Sequence, residues 1–363
     1  MTHPPRILIS GYYGCGNLGD EAILAGITQG LKRLLPQVEL VVLSGAPAET
    51  AKQYGVTAFP RTAWGEIRRE MGRVDLFISG GGGLLQDVTS WRSPFYYLGL
   101  IWLAKRRGLK TAVIFQGIGP LRRPWLKKLT GKILRRVDLI AVRDEASAQA
   151  LVAMGLPADK IQVGVDAVWL LSPEGEAPTL ARPQPKIGIF LRPLPGKKVE
   201  ETPELWHAIS QGLEEFLDTQ GGSGIFVPMQ KPEDITAAEA VRRQLSVESQ
   251  LRVEDFSPPE MLQLIGQFDL VLGMRLHSLI FAARQGVPPV GISYDPKVDA
   301  ALAQMGLAPA FTTAAPNGRA LADQLAAAWA QKAQWRATLS ILAQTNRQIA
   351  QEILRQAVGL IIS

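Results

Sequence analysis

Arg275 and His277 stand two positions apart in an otherwise apolar stretch, VLGMRLHSLIF at 271–281, where a strand pattern gives way to a helical one. The positive end of a helix is a setting in which an imidazole can hand on a proton. The plain alternative is a buried histidine that is simply hydrogen-bonded. The chain has three histidines. His3 lies in a proline-flanked N-terminal segment, and His207, in ELWHAIS, falls within a predicted helix with no other reactive residue near it. His277 is therefore the one whose placement needs a reason.

Other residues able to do chemistry also follow predicted strands. In SGYYGCGNLGDEAIL, Gly14, Gly16 and Gly19 permit a tight turn, Asn17 offers an uncharged donor and acceptor, and Asp20 is the expected helix N-cap with Glu21 in the first turn. The glycines match the bare G-x-G-x-x-G spacing, but the following strand, VELVVLSGAP, closes without the acidic residue that would hold a ribose, which argues against a dinucleotide. In ISGGGGLLQD, four consecutive glycines, Gly80, Gly81, Gly82 and Gly83, are expected to form a ligand-facing loop; a structural turn would need only one or two. Gln116 ends a strand in QGIGPLRR, and in AVRDEAS Arg143 precedes Asp144, an N-cap candidate with Ser147 three residues on. Arg143 is placed to fork onto a phosphate or carboxylate, or else pairs with a neighbouring acid. Arg192 in FLRPL, and Tyr294, Asp295 and Lys297 in ISYDPKV, likewise leave strands; Asp295 could equally just begin a turn before Pro296. Cys15 is either a thiol near a helix N-terminus or a small filler between glycines.

Short β-rich runs alternate with helical patterns almost throughout, which predicts parallel sheets covered by helices on both faces. The strand candidates are RILIS, VELVVL, DLFIS, KTAVIFQ, DLIAV and KIQVG, then KIGIFL, SGIFVPM, LRVEDF, DLVLGM and PPVGISY. Between the two sets, SPEGEAPTLARPQP is polar, proline-rich and aperiodic. The expected fold class is α/β with two Rossmann-like doubly wound domains, residues 1–172 and 186–363, joined by a linker at 173–185. The terminal helices are assigned to the second domain. In such folds ligands bind beyond the carboxyl ends of the strands, so two domains facing across a cleft would place the site in that cleft.

At 363 residues and 47% hydrophobic, with a mean hydropathy near zero, the chain has the composition of a soluble globular protein. No apolar run reaches the roughly 18 residues of a membrane-spanning helix, and MTHPPRILIS lacks the features of a signal peptide, so a cytoplasmic location is expected. One cysteine excludes an intramolecular disulfide framework, three histidines argue against a His/Cys metal site, and no metal is expected. The net charge of +6 is concentrated: eleven Lys and Arg lie between Lys105 and Arg136, and no acidic residue occurs from Ile101 to Arg136. Such a run is either a solvated helix face or a surface for anions, among them phosphorylated small molecules and an anionic membrane. Nucleic acid is not expected, because no RNA-binding motif or zinc finger accompanies the charge.

Six stretches in order, GYYGCGNLGDEAIL, DLFISGGGGLLQD, FQGIGPL, DLIAVRDEAS, VGVDAVWLL and GMRLHSLIFAARQGVPPVGISYDPKV, resemble the polysaccharide pyruvyl transferase family, CsaB-type. They span Ile7 to about Val298; Cys15 departs from the family's usual, often aromatic, residue, and no catalytic role is carried over to it. The resemblance implies a glycosyltransferase-B-like fold and transfer of pyruvate from phosphoenolpyruvate onto a sugar as a ketal, with no separate cofactor. By the same likeness Arg143 binds the donor, His277 donates a proton, and Arg275 and Lys297 contact phosphate or carboxylate. Arg192 and the Gly80–Gly83 run would assist the donor, and Asn17, Asp20, Gln116 and Tyr294 would contact the acceptor or shape loops. The implied acceptor is a sugar of N-acetylmannosamine type, often lipid-linked, in a cell-wall or surface polysaccharide precursor; the basic segment could then hold the enzyme peripherally at the inner face of the plasma membrane. Two other readings fit the domain pattern: a glycosyltransferase using a nucleotide sugar, and a non-catalytic sugar- or anion-binding protein.

Overall fold

Strand β1 (Arg6–Tyr13) begins a run of parallel strands whose centres are apolar on both faces, as strands covered by helices require. The computed structural model describes residues 3–88, 90–173 and 185–362. The expected linker at 173–185 lies almost wholly outside the described residues. In the first unit the strands are β1, β2 (Glu39–Ser44), β3 (Thr57–Pro60), β4 (Leu76–Leu85), β5 (Lys110–Ile118), β6 (Leu139–Val142) and β7 (Gln162–Val163), in the order β3-β2-β1-β4-β5-β6-β7. The second unit holds β8 (Lys186–Phe190), β9 (Ser223–Phe226), β10 (Ser249–Leu251), β11 (Leu270–Gly273), β12 (Pro289–Ser293) and β13 (Phe311–Thr312), in the order β10-β9-β8-β11-β12-β13. Both orders reverse direction next to the first strand of the unit, at β1/β4 and at β8/β11. Loops beyond the carboxyl ends of strands flanking such a reversal are where doubly wound sheets hold ligands.

The compact units differ from the expected boundary at one end. Described residues up to Ser172 form one unit together with those from Asn346 onward, and the described residues between 173 and 345 form the other. The terminal helix Lys332–Ile362 therefore ends in the first unit, not the second. Packing supplies the reason: Ile353 and Leu354 are fully buried, and Leu354 Cδ1 and Ile353 Cδ1 each lie 2.4 Å from where a Cβ on Gly30 or Gly164 would stand. Strands β3 and β13 were not anticipated. β3 is a half-exposed edge strand ending in Pro60, and β13 has two residues, so neither carries a periodic apolar signal. Among the described residues no helix is long and apolar enough to cross a membrane.

The glycine run is not a loose loop. β4 continues through Gly80–Gly83 to Leu85, still paired with β5 at Gly82↔Gln116 and Leu85↔Ile118 across an irregularity. Helix Leu18–Leu34 lies so close that a Cβ on Gly81 would come within 2.1 Å of Ile23 Cγ2, and one on Gly80 within 2.9 Å of Ile27 Cδ1. Gly81 and Gly82 also have φ +68, the left-handed region. The expectation of four ligand-facing glycines is thus corrected for Gly80 and Gly81, which close the strand onto the helix. Only Gly83 has open space around it.

Gly81→Ala should therefore cost about 2–5 kcal/mol in urea unfolding, combining a left-handed penalty of roughly 1–2 with overpacking of roughly 1–3. Gly83→Ala, with nothing within 4 Å of its new methyl, should change stability by less than about 0.5 kcal/mol.

Candidate active site

At the carboxyl edge of the first sheet, the chain leaves β1 through Gly14 (φ +67), where a Cβ would meet Ser44 Oγ at 2.1 Å and the Ala46 backbone nitrogen at 2.5 Å. The Gly14 amide donates to Glu21 Oε1 at 2.7 Å, and the Tyr54 hydroxyl donates to Glu21 Oε2 at 3.0 Å. Burial pushes the Glu21 carboxyl above its ordinary range, against the pull of those hydrogen bonds. Asn17, not Asp20, caps helix Leu18–Leu34: its side-chain oxygen accepts from the Gly19 amide at 3.0 Å. Asp20 falls in the first turn instead, and its Oδ1 stands 2.8 Å from where a Gly82 Cβ would be.

Arg61, directly after β3, is a residue that sequence reasoning missed. Its guanidinium stacks over Tyr12 and Tyr96 (5.3 Å each) and Tyr97 (5.8 Å), and donates to Tyr97 Oη at 3.2 Å and Cys15 Sγ at 3.4 Å. The thiol therefore sits against a fixed cation. The only signal was an arginine after TAFP, and that edge strand was itself invisible in the pattern.

Three buried polar side chains cross the middle of the sheet edge. Gln116 Nε2 donates to Ser79 Oγ at 2.7 Å, and Ser10 pairs in register with Ser79. Gln116 is 0% exposed, so the expectation that it contacts an acceptor is corrected: its amide belongs to the sheet interior. Its Oε1 and Ser10 Oγ have no hydrogen-bond partner among the described residues. The preceding Phe115 has φ +60 at a register shift between β5 and β6, a strained backbone that turns Gln116 inward.

Arg143 takes the alternative of pairing with acids. Its Nε donates to Asp144 Oδ2 at 3.3 Å, and Nη1 lies 3.5 Å from Asp166 Oδ2. Both acids are helix caps, Asp144 accepting from the Ser147 amide at 2.8 Å and Asp166 from the Val168 amide at 3.0 Å. Gly117 makes room, since a Cβ there would come within 2.5 Å of Arg143 Nη2. Asp87, at the end of LLQD, ties the next loop down by accepting from the Arg122 and Arg123 amides at 2.7 and 3.0 Å and from Arg123 Nη1 at 3.3 Å. Burial alone would raise the Asp87 carboxyl, but those donors outweigh it and hold the group below its ordinary range.

In the second unit, loops after β8, β11 and β12 gather the remaining candidates. Arg192 Nη1 donates to Tyr294 Oη at 3.0 Å with its guanidinium 4.8 Å above that ring, and Lys297 Nζ lies 5.4 Å from the same ring centre. Lys297 Nζ is also 3.5 Å from Asp295 Oδ2, and Asp295 caps helix Pro296–Gln304 by accepting from the Lys297 amide at 3.0 Å. Arg192, Tyr294 and Lys297 are all partly exposed. The expectation that Arg275 meets the donor is corrected by its contacts. It forms a bidentate pair with Asp234, one arm at 3.0 Å, and donates to Gln230 Oε1 at 3.1 Å. Asp234, 1% exposed, also accepts from the Met229 and Gln230 amides at 3.0 Å each. Nothing in the helical pattern of PEDITAAEA marked Asp234 out. Arg275 stands at the N-cap position of helix Leu276–Arg284, and its carbonyl accepts from Ser278 Oγ at 2.7 Å. His277 is the second residue of that helix and partly exposed. His207 is exposed, its Nδ1 3.2 Å from Gln244 Oε1. Among the described residues no group of His, Cys, Asp and Glu is arranged to hold a metal.

This architecture is shared with solved structures of other proteins. A UDP-GlcNAc 2-epimerase from Methanocaldococcus jannaschii superposes with a TM-score of 0.67 at 13% identity, covering 98% of this chain and 100% of that one. A glycosyltransferase from Rickettsia africae gives 0.61 at 14%, covering 97% and 99%. The chain therefore has the glycosyltransferase-B fold, two doubly wound α/β units. The family model for polysaccharide pyruvyl transferases matches residues 17–296. The chain belongs to that family and is a transferase of polysaccharide biosynthesis. The amylovoran biosynthesis protein AmsJ of Erwinia amylovora is 21% identical over 364 residues, covering 83% of this chain and 86% of AmsJ.

Removing Asp234 leaves a buried guanidinium uncompensated, so Asp234→Ala should lose about 3–5 kcal/mol in urea unfolding; a loss below about 1 would mean the pair is merely superficial. A carboxyl whose folded pKa is depressed stabilises fully above its unfolded value of roughly 3.9 and loses that contribution as pH falls through the folded value. Asp87→Asn should accordingly destabilise at neutral pH, with the difference from the native chain shrinking below about pH 4.

Proposed function

We propose that this enzyme transfers pyruvate from phosphoenolpyruvate, as a cyclic ketal, onto a sugar of a cell-wall or surface polysaccharide precursor and releases phosphate. The observation that carries the donor assignment is the pair of partly exposed cations, Arg192 and Lys297, which both contact the Tyr294 ring, a ring that also packs against the apolar cluster containing Leu279 of the helix bearing His277. Phosphoenolpyruvate carries a phosphate and a carboxylate, and two cations held by one aromatic side chain beyond the strand ends match a small polyanion. In the first unit, Arg143 is already paired on two sides, and its Nη2 edge beside Gly117 is the part assigned to the donor.

His277 is assigned as the acid. A proton delivered to the methylene carbon of the donor leaves an oxocarbenium-like carbon, which one sugar hydroxyl attacks as it gives up its proton. Phosphate then departs with the electrons of its C–O bond, and a second hydroxyl attacks the same carbon. Of the two hydroxyl protons, one replaces the proton spent on the methyl group and the other leaves with phosphate. Arg275 is a positioning residue in this scheme: its bidentate pair with Asp234 fixes the start of the helix on which His277 rides. Asn17 and Asp20 remain assigned to the acceptor side, Asp20 Oδ1 standing beside Gly82, and Tyr294 orients the two cations. The acceptor is proposed to be a lipid-linked amino sugar of N-acetylmannosamine type, worked on at an anionic membrane face.

Incubation with phosphoenolpyruvate and a panel of lipid-linked and synthetic amino-sugar acceptors should release phosphate together with an acceptor mass gain of one pyruvyl ketal. Phosphate-free assays with measurable turnover of a nucleotide sugar would replace this reading with glycosyl transfer. His277→Ala should abolish turnover with unchanged circular dichroism; retention of more than about a few per cent of the native rate would remove His277 from the acid role.

A further inference from the structure

Helix Arg92–Arg106 buries Pro94, Leu98, Ile101 and Ala104 against its sheet, yet its outward face is not polar. Trp91, Phe95 and Trp102, spaced i, i+4 and i+11 and so on one face, are 42%, 52% and 46% exposed. Trp125, 44% exposed at the start of helix Pro124–Leu134, joins them: Trp91–Phe95, Trp91–Trp125 and Phe95–Trp125 ring centres lie 6.3, 6.1 and 6.4 Å apart. A contiguous exposed aromatic patch of this kind marks a surface that meets something apolar.

The charge around it says what. From Val88 to Val137 the sequence contains no Asp or Glu. Arg92 and Arg106 stack on Trp91 and Trp102 at 5.9 and 5.0 Å, so they stand beside the rings. Among the described residues, Arg122, Lys127, Lys128 and Lys132 are exposed and form no ion pair, whereas Lys105 is spent on Asp138 and Arg123 on Asp87. A second copy of the chain would bring the same uncompensated charge and be repelled. Tryptophan beside Lys and Arg is the composition that seats at the headgroup level of a bilayer with anionic lipid. Trp91 and Trp125 follow the carboxyl ends of β4 and β5, the edge that carries Gly82 and Gln116.

We infer that this face is a membrane-docking surface: the Trp91, Phe95, Trp102 and Trp125 rings enter the headgroup layer of an anionic bilayer while the neighbouring cations bind lipid phosphates. It would bring a lipid-linked acceptor to the carboxyl edge of the first sheet, and to that extent rests on the function proposed above. The docking itself needs no substrate.

The test is sedimentation of the full chain, without substrates, with vesicles of phosphatidylcholine alone and of phosphatidylcholine mixed with phosphatidylglycerol. Binding is expected on the mixed vesicles, with a blue shift of tryptophan emission. The variant carrying Trp91→Ser, Phe95→Ser and Trp125→Ser should partition about tenfold or more weakly, and so should one carrying Lys127→Glu, Lys128→Glu and Lys132→Glu. Both variants should keep native circular dichroism and native turnover of a water-soluble acceptor. The inference is overturned if the native chain stays with the supernatant, if either variant binds as the native chain does, if the aromatic variant instead abolishes self-association seen by light scattering, or if single-stranded oligonucleotide is bound while vesicles are not. Loss of pyruvyl transfer with intact vesicle binding would sink the proposed function alone; the reverse would sink only the docking surface.

Discussion

A guanidinium removed from water needs a carboxylate beside it, and at the carboxyl edges of both sheets that requirement decides where the loops go. Arg275 is 8% exposed and draws Asp234 across from helix Glu233–Arg242. Asp234 in turn collects the Met229 and Gln230 amides, so the segment after β9 is tied to the segment after β11. Arg143, also 8% exposed, does the same between β6 and the turn after β7 by way of Asp144 and Asp166, each of which simultaneously closes a helix N-terminus. The pairs confer position: a guanidinium held on two sides has little freedom left, and the helix starts attached to it are fixed with it.

The same requirement sorts the cations by what they remain able to do. Those buried with acids mainly shape the edge, Arg143 keeping only its Nη2 edge beside Gly117 outside its two ion pairs. Arg192 and Lys297 are instead held partly exposed, mainly by the face and hydroxyl of Tyr294, with Asp295 touching Lys297 only at 3.5 Å. An aromatic face steadies a cation without cancelling its charge, which leaves both groups available to an anion. Arg61 repeats the device in the first unit among Tyr12, Tyr96 and Tyr97. On the outer face the aromatic contacts of Arg92 and Arg106 extend it to a surface facing solvent.

Much of the architecture was legible because parallel strands buried on both faces must be continuous apolar runs, and loops that end them must be polar or glycine-rich. The positions of Arg143, Arg192, Arg275, His277 and Lys297 at strand ends could be read that way. Their partners could not. Asp234 and Asp166 are distant in sequence from the arginines they meet, and no periodicity announces a long-range ion pair. The glycine run misled for a related reason: composition reports freedom from a Cβ, while only packing tells whether that freedom serves a ligand or, as at Gly80 and Gly81, a helix pressed against a strand. The part of the terminal helix from Asn346 onward belongs to the first unit and not the second, because an amphipathic pattern demands a partner surface without naming which one.

The first glycine turn shows how the same spacing can be turned to another use. Gly14 and Gly16 precede a helix N-terminus and Gly19 lies in its first turn, the arrangement that elsewhere receives a dinucleotide's phosphates. Here the Gly14 amide, which such a phosphate would approach, donates to Glu21 Oε1, and Tyr54 holds the other carboxylate oxygen. The Glu21 side chain thus occupies that donor from the first turn of the helix. A phosphate brought to the same spot would meet the Glu21 carboxyl group and find Gly14's donor already engaged. The first turn is consequently a poor place for a nucleotide, and the partly exposed cations of the second unit are the better place for a small polyanion.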